Sequence, residues 1–493
     1  MSSKAKTSLL LISVLLLGLT FLIRLGDEAQ LMTTFPTDYI NDISAYMAQL
    51  HFLDVCGFEQ PCPYWYNGFI AFQFTPPGWY FFAYPLLLLF GDVKIATYLA
   101  IVLSLVIGFL LVWHGGKKLK FQPLERLFFF LFFVANANAI RGFLRTGRPH
   151  ELFAWMLFFG LFLLLLRYKD KKIDAWFYLA SLLYTACIIS YVAVGVFASL
   201  FLAGLFLLKR GKERWHVVGA SSLGVVLTFF WTIPYLLNIK NSSLLATQQA
   251  AWLLQWTPDL LLKQLAGIVF PLFFLFLFYV SWKEHRSRSD FLFFLPTLIL
   301  AVLYIFRLNT FLPVFRDIFP SPYFNFFLFL SGYLYLLIIH TKTSLQKFTH
   351  LAVFVGIVVS CIISLFFTAY FASPTPQSED LLTFVPQISG VYLLSDLPPD
   401  VYSKAVLAYA TIYHNKTTSF GYYQHVKDAR YLEDVSLALH AADTQDCALL
   451  IRQMQYLHTT EYLSYGSCNF LASCGLRLKA DYKGYCLYQL NEA

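Results

Sequence analysis

The sequence predicts a polytopic α-helical membrane protein with a small extracytoplasmic α/β domain at its C-terminal end. Three observations lead there. Hydrophobic residues make up 58% of the chain and charged residues only 13%, against ~25% charged in soluble domains. Apolar runs of spanning length recur through residues 1–371. Lys and Arg gather in every second connection, as loops on the cytoplasmic side require.

The first run, Ser8 to Leu25, follows Lys4 and Lys6, is long for a signal-peptide core and lacks a small-residue cleavage site, so it reads as an uncleaved signal-anchor helix. Further runs lie near 93–113, 124–140, 150–167, 174–190, 191–208, 216–237, 264–282, 289–306, 324–340 and 349–371, which makes about 11 transmembrane helices. Basic clusters alternate with them: Lys117, Lys118, Lys120 and Arg126; Arg167, Lys169, Lys171 and Lys172; Lys209, Arg210, Lys212 and Arg214; Lys283, Arg286 and Arg288; Lys342 and Lys347. An integral membrane protein with a cytoplasmic N-terminus follows, and residues 26–92 and 372–493 then fall outside the cytoplasm. The net charge of +8 is mostly this topology signal, so it implies a membrane and no nucleic-acid partner.

Six of the eight cysteines occupy the two outside segments, Cys56 and Cys62 in the first and Cys447, Cys468, Cys474 and Cys486 in the second. Even numbers in an oxidising compartment predict disulfides, with free thiols or a metal site as the other readings. Asn241-Ser-Ser243 and Asn415-Lys-Thr417 are glycosylation sequons on the same side. The chain divides into residues 1–371, a membrane domain that includes the outer loop 26–92, and residues 372–493, a soluble extracytoplasmic domain.

Within the outer loop, Asp38 to Leu53 reads as an amphipathic helix with Ile43, Met47 and Leu50 on one stripe, and Asp38 and Asp42 share a face at i, i+4. After a Cys-, Pro- and Trp-rich turn, FTPPGWYFFAYPLLLLFGD reads as a helix at the membrane interface with Trp79, Tyr80 and Tyr84 as belt residues. A full span there would put every basic cluster outside. In the C-terminal domain Thr383 to Leu397 and the final GYCLYQL read as strands, and Tyr402 to Tyr413 and Tyr431 to Ala442 as helices.

Two polar groups accompany the aspartates. IRGFLRTGRPHELFAW sets Arg141, Arg145, Arg148, His150 and Glu151 at the outer end of a span, where arginines and close-approaching glycines suit a phosphate at headgroup depth. The plainer reading is helix-end anchoring, with Glu151 as an ion-pair partner. Arg307, Asn309, Arg316 and Asp317 lie on a later outer loop, either over the same site, at lipid headgroups, or as a loop-stabilising neighbourhood. The chain has no Walker loop, dinucleotide glycine fingerprint, HExxH or GxSxG, so ATP-driven pumping and hydrolase chemistry lose support.

The segment DISAYMAQLHFL resembles the Asp-x-x-Ala-Tyr-Met-x-Gln stretch after the first helix of dolichyl-phosphate-mannose-dependent mannosyltransferases, members of the GT-C membrane glycosyltransferases, and YNGFIAFQFTPPGWYFFAYPLL resembles the tyrosine- and proline-rich helix after it. More of the chain resembles the membrane family labelled 6-pyruvoyl-tetrahydropterin-synthase-related, with its loop acidic residue, Arg-Gly…Glu element and short C-terminal domain. There is no Trp-Trp-Asp motif of the oligosaccharyltransferases, and the proline motif is TPPG. The resemblance implies a GT-C fold, a lipid-linked sugar donor on polyprenyl or dolichyl phosphate, and a glycan, lipid or protein acceptor. It makes Asp42 the general base, with Asp38 second, and sets Arg145, Gly147 and Glu151 toward the donor phosphate; Arg148, His150 and Arg141 of the same polar cluster complete the expected donor-phosphate group. Tyr46, Tyr66, Trp79, Tyr80, Arg307 and Arg316 are the expected contacts to acceptor or lipid. A divalent cation, Mg or Mn, held between Asp38 and Asp42 belongs to the same expectation. An activated donor needs orientation, one base and charge stabilisation, so transfer is expected to invert the anomeric carbon. The competing class is a flippase, exporter or glycan-binding scaffold; it wants mid-span polar residues, of which Asn136 and Asn138 are the chief examples.

Overall fold

The computed structural model describes residues 3–38, 41–238, 254, 257, 261–339, 345–372, 374–422 and 429–491. Asn241 to Ser243, with the first sequon, and Lys342 lie outside the described residues. The chain is a helical membrane protein that packs as two compact units.

The first unit comprises Met1–Glu28, Ala100–Trp231 and Leu244–Tyr370. Among the described residues 7 helices are long and apolar enough to cross a bilayer, or up to 9 if each of two bent pairs is one span. Each of the eleven expected segments holds a helix among its described residues; two of these helices, Ala175–Ser190 and Val192–Leu208, are shorter than the spans counted here. The bend of 48° between Pro123–Val134 and Ala137–Arg145 has a local cause. Asn136 adopts extended backbone, donates to the Phe132 carbonyl at 3.2 Å and accepts from the Ala139 N–H at 3.0 Å, so one side chain closes the first helix and caps the next.

Two helices are central. Pro149–Lys169 and Pro320–Ile339 bury 83% and 89% of their apolar windows, against 28–44% for the other single spans. Between them Phe329 is ringed by Phe129, Phe133, Phe158, Phe159 and Phe162 at centroid distances of 4.9–5.6 Å, a packing of aromatic edges and faces rather than of aliphatic ridges. The outer helices turn leucines outward instead, as Leu15, Leu19 and Leu22 do on Ser3–Glu28. Arg24 on that helix is buried and donates to the carbonyls of Thr368 and Ala369 while stacking on Tyr370 at 4.1 Å, which answers both its charge and a helix end.

The second unit comprises Ala29–Leu99, Thr232–Ser243 and Phe371–Ala493. Packing thus groups most of the outer loop with the C-terminal segment, where composition groups it with the spans. Direct links are the Tyr402 N–H to the Thr37 carbonyl and the Thr418 N–H to the Tyr64 carbonyl, both 2.8 Å, and Phe35 edge-on to Tyr409 at 5.4 Å. A hairpin joins β1 (Pro61–Cys62) to β2 (Phe69–Ile70). The C-terminal segment builds a four-stranded sheet from β3 (Tyr392–Ser395), β4 (Glu461–Ser464), β5 (Arg477–Tyr482) and β6 (Tyr485–Gln489) in the order β3-β4-β6-β5, with β3 and β4 parallel and the rest antiparallel. The β5–β6 turn is Lys483-Gly484, both at positive φ, as a two-residue hairpin demands. Helices cover both faces, with Val435, Leu450 and Met454 on one and Leu381, Val406 and Leu407 on the other. Disulfides join Cys56–Cys62, Cys447–Cys474 and Cys468–Cys486, while Cys187 and Cys361 are buried thiols.

Three expectations are corrected. The helix predicted from Asp38 begins only at Ile43 and runs to Val55, so the i, i+4 spacing does not place Asp38 and Asp42 on one helical face; from Ile43 to Leu53 every residue but His51 is buried, so it is not amphipathic. The strand predicted over 383–397 is confined to Tyr392–Ser395, because Thr375 caps a helix Pro376–Phe384 ahead of it. Trp79 and Tyr80 are fully buried within their unit and do not form a membrane belt; the thirteen-residue helix Gly78–Phe90 exposes Phe81, Leu88, Leu89 and Phe90 instead.

The close approach at Gly204 generates a prediction. A Cβ there would lie 2.0 Å from the Phe293 carbonyl oxygen, so Gly204→Ala should lower stability by about 1–3 kcal/mol. Thermal unfolding of the detergent-solubilised chain measures it, and an unchanged midpoint would contradict this packing.

Candidate functional site

In the first unit the arginine-rich segment forms a wide helical turn, Ile140–Arg145, closed by the Thr146 N–H on the Arg141 carbonyl at 2.7 Å. Such π-type turns concentrate at functional sites. Gly147, at φ 70°, reverses the chain into Pro149–Lys169. The result is a cavity of about 210 Å³ lined by Asn138, Arg141, Gly142, Thr146, Arg148, Lys263, Phe319, Pro320, Ser321 and Phe324. Three cations, two hydroxyls and an amide around a space of that size suit an oxyanion.

Glu151 stands behind the cavity. Its carboxylate is fully buried, accepts from Asn325 Nδ2 at 3.1 Å and Trp155 Nε1 at 3.4 Å, and pairs with Arg148 at 3.8 Å. Asn325 in turn accepts from Asn138 at 2.6 Å. Arg148 is thereby aimed from below by Glu151 and from the side by the Phe319 ring at 5.9 Å. Of the five residues expected around a phosphate, Arg141 and Arg148 line the cavity. Arg145 and His150 are buried and do not line it, His150 lying edge-on to Tyr191 at 5.0 Å. Lys263 escaped sequence reasoning because a lone lysine at the start of an apolar run looks like a helix-end anchor; Thr146 and Ser321 carried no signal at all.

In the second unit Asp42 is the N-cap residue of Ile43–Val55, yet its side chain does not cap. Asn41 does that, accepting from the Ser44 N–H at 3.4 Å and donating to Asp38 Oδ1 at 3.2 Å. The Asp42 carboxylate instead accepts from the Tyr422 hydroxyl. Lys404 lies over the Tyr422 ring at 5.1 Å; burial lowers the pKa of its ammonium and Asp42 opposes that shift. Neither Lys404 nor Tyr422 was singled out in the sequence, since nothing local marks a residue that meets a partner several hundred positions away. Among the described residues no group of three or more His, Cys, Asp or Glu side chains could hold a metal. Asp38 and Asp42 supply two carboxylates at most, a set that Mg²⁺ accepts only with water and substrate phosphate completing it.

The remaining expected contacts are mostly interior. Tyr46 packs against Trp79 and Tyr80, both at 6.5 Å; Tyr80 donates to Gln49; and Tyr66 is buried beside Phe420 and Tyr431. Burial pushes the Tyr66 phenol well above its usual range. Arg307 is buried too, at φ 60°, with its guanidinium on Gln264 at 2.7 Å. Arg316 is exposed beside Asp317 at 3.6 Å. Of these six expected contacts Arg316 alone is exposed, and the other five are buried.

Asn325→Leu should cost about 1–3 kcal/mol, because it takes one donor from a buried carboxylate and the acceptor from Asn138. Thermal unfolding beside the wild type decides it, and a neutral outcome would remove Asn325 from the support of Arg148.

No protein-family model matches the chain, and no curated protein matches it by sequence. Solved structures do. The Archaeoglobus fulgidus oligosaccharyltransferase superposes with a TM-score of 0.59 at 10% identity over 93% of this chain and 69% of its own. The mycobacterial arabinofuranosyltransferase AftD gives 0.60 at 11% over the whole of this chain, which spans 40% of that protein. ArnT from Cupriavidus metallidurans, solved with undecaprenyl phosphate, gives 0.51 at 11% over 98% of both chains. The chain therefore has the fold of the GT-C membrane glycosyltransferases.

Proposed function

We propose that the chain is a membrane glycosyltransferase that moves a sugar from a polyprenyl-phosphate donor to an acceptor hydroxyl on the extracytoplasmic side, with inversion. The cavity carries this reading: Arg141, Arg148 and Lys263 converge on one oxyanion-sized space in a chain with the GT-C fold. Disulfides in both outer segments support the extracytoplasmic side, as does the alternation of basic loops, with the N-terminus in the cytoplasm and residues 372–493 outside.

In the proposed reaction Asp42 takes the proton of the acceptor hydroxyl, whose oxygen attacks the anomeric carbon. The bond from that carbon to the phosphate oxygen breaks, and polyprenyl phosphate leaves with the extra negative charge. A lipid phosphate held in the cavity of the first unit would meet Arg141, Arg148 and Lys263, a role for which fixed cations in a water-poor site are well suited. One displacement with one base inverts the carbon. Asp38 and Asp42 would be the protein ligands of a divalent cation, which would supply positive charge at phosphate oxygens. A structure of the archaeal oligosaccharyltransferase is a complex with Zn and sulfate, which supports testing for a metal here.

Asp42→Asn should lower kcat about 100- to 10,000-fold while donor binding stays, read by transfer of radiolabelled sugar from short-chain polyprenyl-phosphate donors. Transfer left intact would sink the assignment, and NMR of the product reads the anomeric configuration. EDTA should lower transfer and Mg²⁺ or Mn²⁺ restore it; full activity in EDTA removes the cation.

A further inference from the structure

We propose that Lys171, Lys172, Arg210 and Lys212 form a binding surface for the headgroup of an anionic phospholipid, at the end of the helical bundle opposite the cavity, with Trp176 and Trp215 set at the acyl boundary beside it. The inference rests on the membrane fold of the first unit and not on the proposed transfer.

Chain order brings the four cations to one place. Pro149–Lys169 runs away from the cavity for 21 residues, roughly 30 Å at ~1.5 Å per residue. Ala175–Ser190 returns and Val192–Leu208 runs out again, so residues 170–174 and 209–211 are connections at the same end. They are fastened to each other. The buried Lys209 donates to the Lys171 carbonyl and pairs with Glu213 at 3.8 Å, and Glu213 accepts from the Ile173 N–H at 2.9 Å. Beyond that pair the Tyr178 hydroxyl meets His216 Nδ1 at 3.1 Å.

The fastening engages the acidic side chains and leaves basic ones exposed. Glu213 holds the two connections together, Asp174 accepts from the Trp176 N–H at 3.0 Å and from the Tyr168 hydroxyl, and Asp170 pairs with Lys169 at 3.4 Å. Lys171, Lys172, Arg210 and Lys212 are exposed. Trp176 and Trp215 stand beside them, 77% and 74% exposed. Indole rings left so open are at home where headgroups meet acyl chains, with the apolar body in one and the N–H in the other. Four clustered cations at that depth are complementary to a phosphodiester headgroup that carries net negative charge. A zwitterionic headgroup brings its own cation and loses most of that attraction.

The test counts bound lipid. The full chain, immobilised in detergent, is titrated with radiolabelled phosphatidylglycerol or phosphatidylcholine of the same acyl chains, at low and at high salt. Phosphatidylglycerol should be held about tenfold or more tightly at low salt, and the preference should shrink as salt rises. Lys171→Gln/Lys172→Gln and Arg210→Gln/Lys212→Gln should each weaken phosphatidylglycerol binding about 30-fold. Lys117→Gln/Lys118→Gln, which removes two exposed lysines from the end of Val93–Lys118, should change it by less than about twofold. Equal binding of the two lipids by the wild type overturns the proposal without any variant needing to fold. So does unchanged phosphatidylglycerol binding in either folded double variant, or an equal loss in the Lys117→Gln/Lys118→Gln control. The assay contains neither donor nor acceptor, so its failure leaves the proposed transfer standing.

Discussion

A carboxylate inside an apolar helical bundle must be answered by partners, and Glu151 is where this chain meets that requirement. It lies on one of the two most buried helices and takes a hydrogen bond from Asn325 on the other. Burying an unpaired carboxylate would cost several kcal/mol, so the relative placement of the two helices is tied to satisfying it. Arg148 is the third partner, and through it the demand of the interior is passed to the cavity wall. Asn138 on a neighbouring turn joins through Asn325. The cationic lining is thus anchored to the two most buried helices of the bundle, and charges fixed in that way are suited to holding an anion.

The second unit solves a different problem. Its outer loop is too short to build a core alone, and the C-terminal segment has a modest one, so each supplies what the other lacks. Phe35 enters between tyrosines of Ser403–His414, Tyr64 and Asn67 pair with the strand-like stretch at Thr418, and Cys56–Cys62 closes the far end of the buried helix. Aromatic residues that looked like interface anchors are used here as core. Large, amphipathic rings serve both purposes equally well, which is why composition does not distinguish them.

Much of the helical framework was legible in the sequence, because runs of apolar residues and alternating basic loops are strong, local signals. The disulfide-bearing segments were legible for the same reason. Local detail is less legible: Asp38 precedes a helix whose start is set by Asn41 and Asp42, and the Thr375-Pro376 pair, a helix-start signature, competes with the β-rich run that follows it. Arg141 and Arg148, which line the cavity, stand out in the sequence because clustered arginines are conspicuous. Lys263 and Tyr422 do not stand out, because the cavity wall and the hydrogen bond to Asp42 that they join exist only after distant parts of the chain meet. Arg145 and His150 belong to the same sequence cluster as Arg148 yet are buried, and spacing alone could not tell a lining residue from a supporting one.

The hydrogen bond between Asp42 and Tyr422 joins residues 380 positions apart, with nearly all the membrane helices made in between. At a synthesis rate of about 5–20 residues per second, roughly 20–80 s pass between the emergence of one partner and the other. Through that interval Phe35 lacks the rings of Tyr409 and Tyr413 that it packs against in the finished chain. A chain stopped before Tyr422 has most of its apolar helices but leaves the Asp42 carboxylate without that tyrosine. Completion of the polypeptide thereby becomes a licence for the assembled state, enforced by chain order alone.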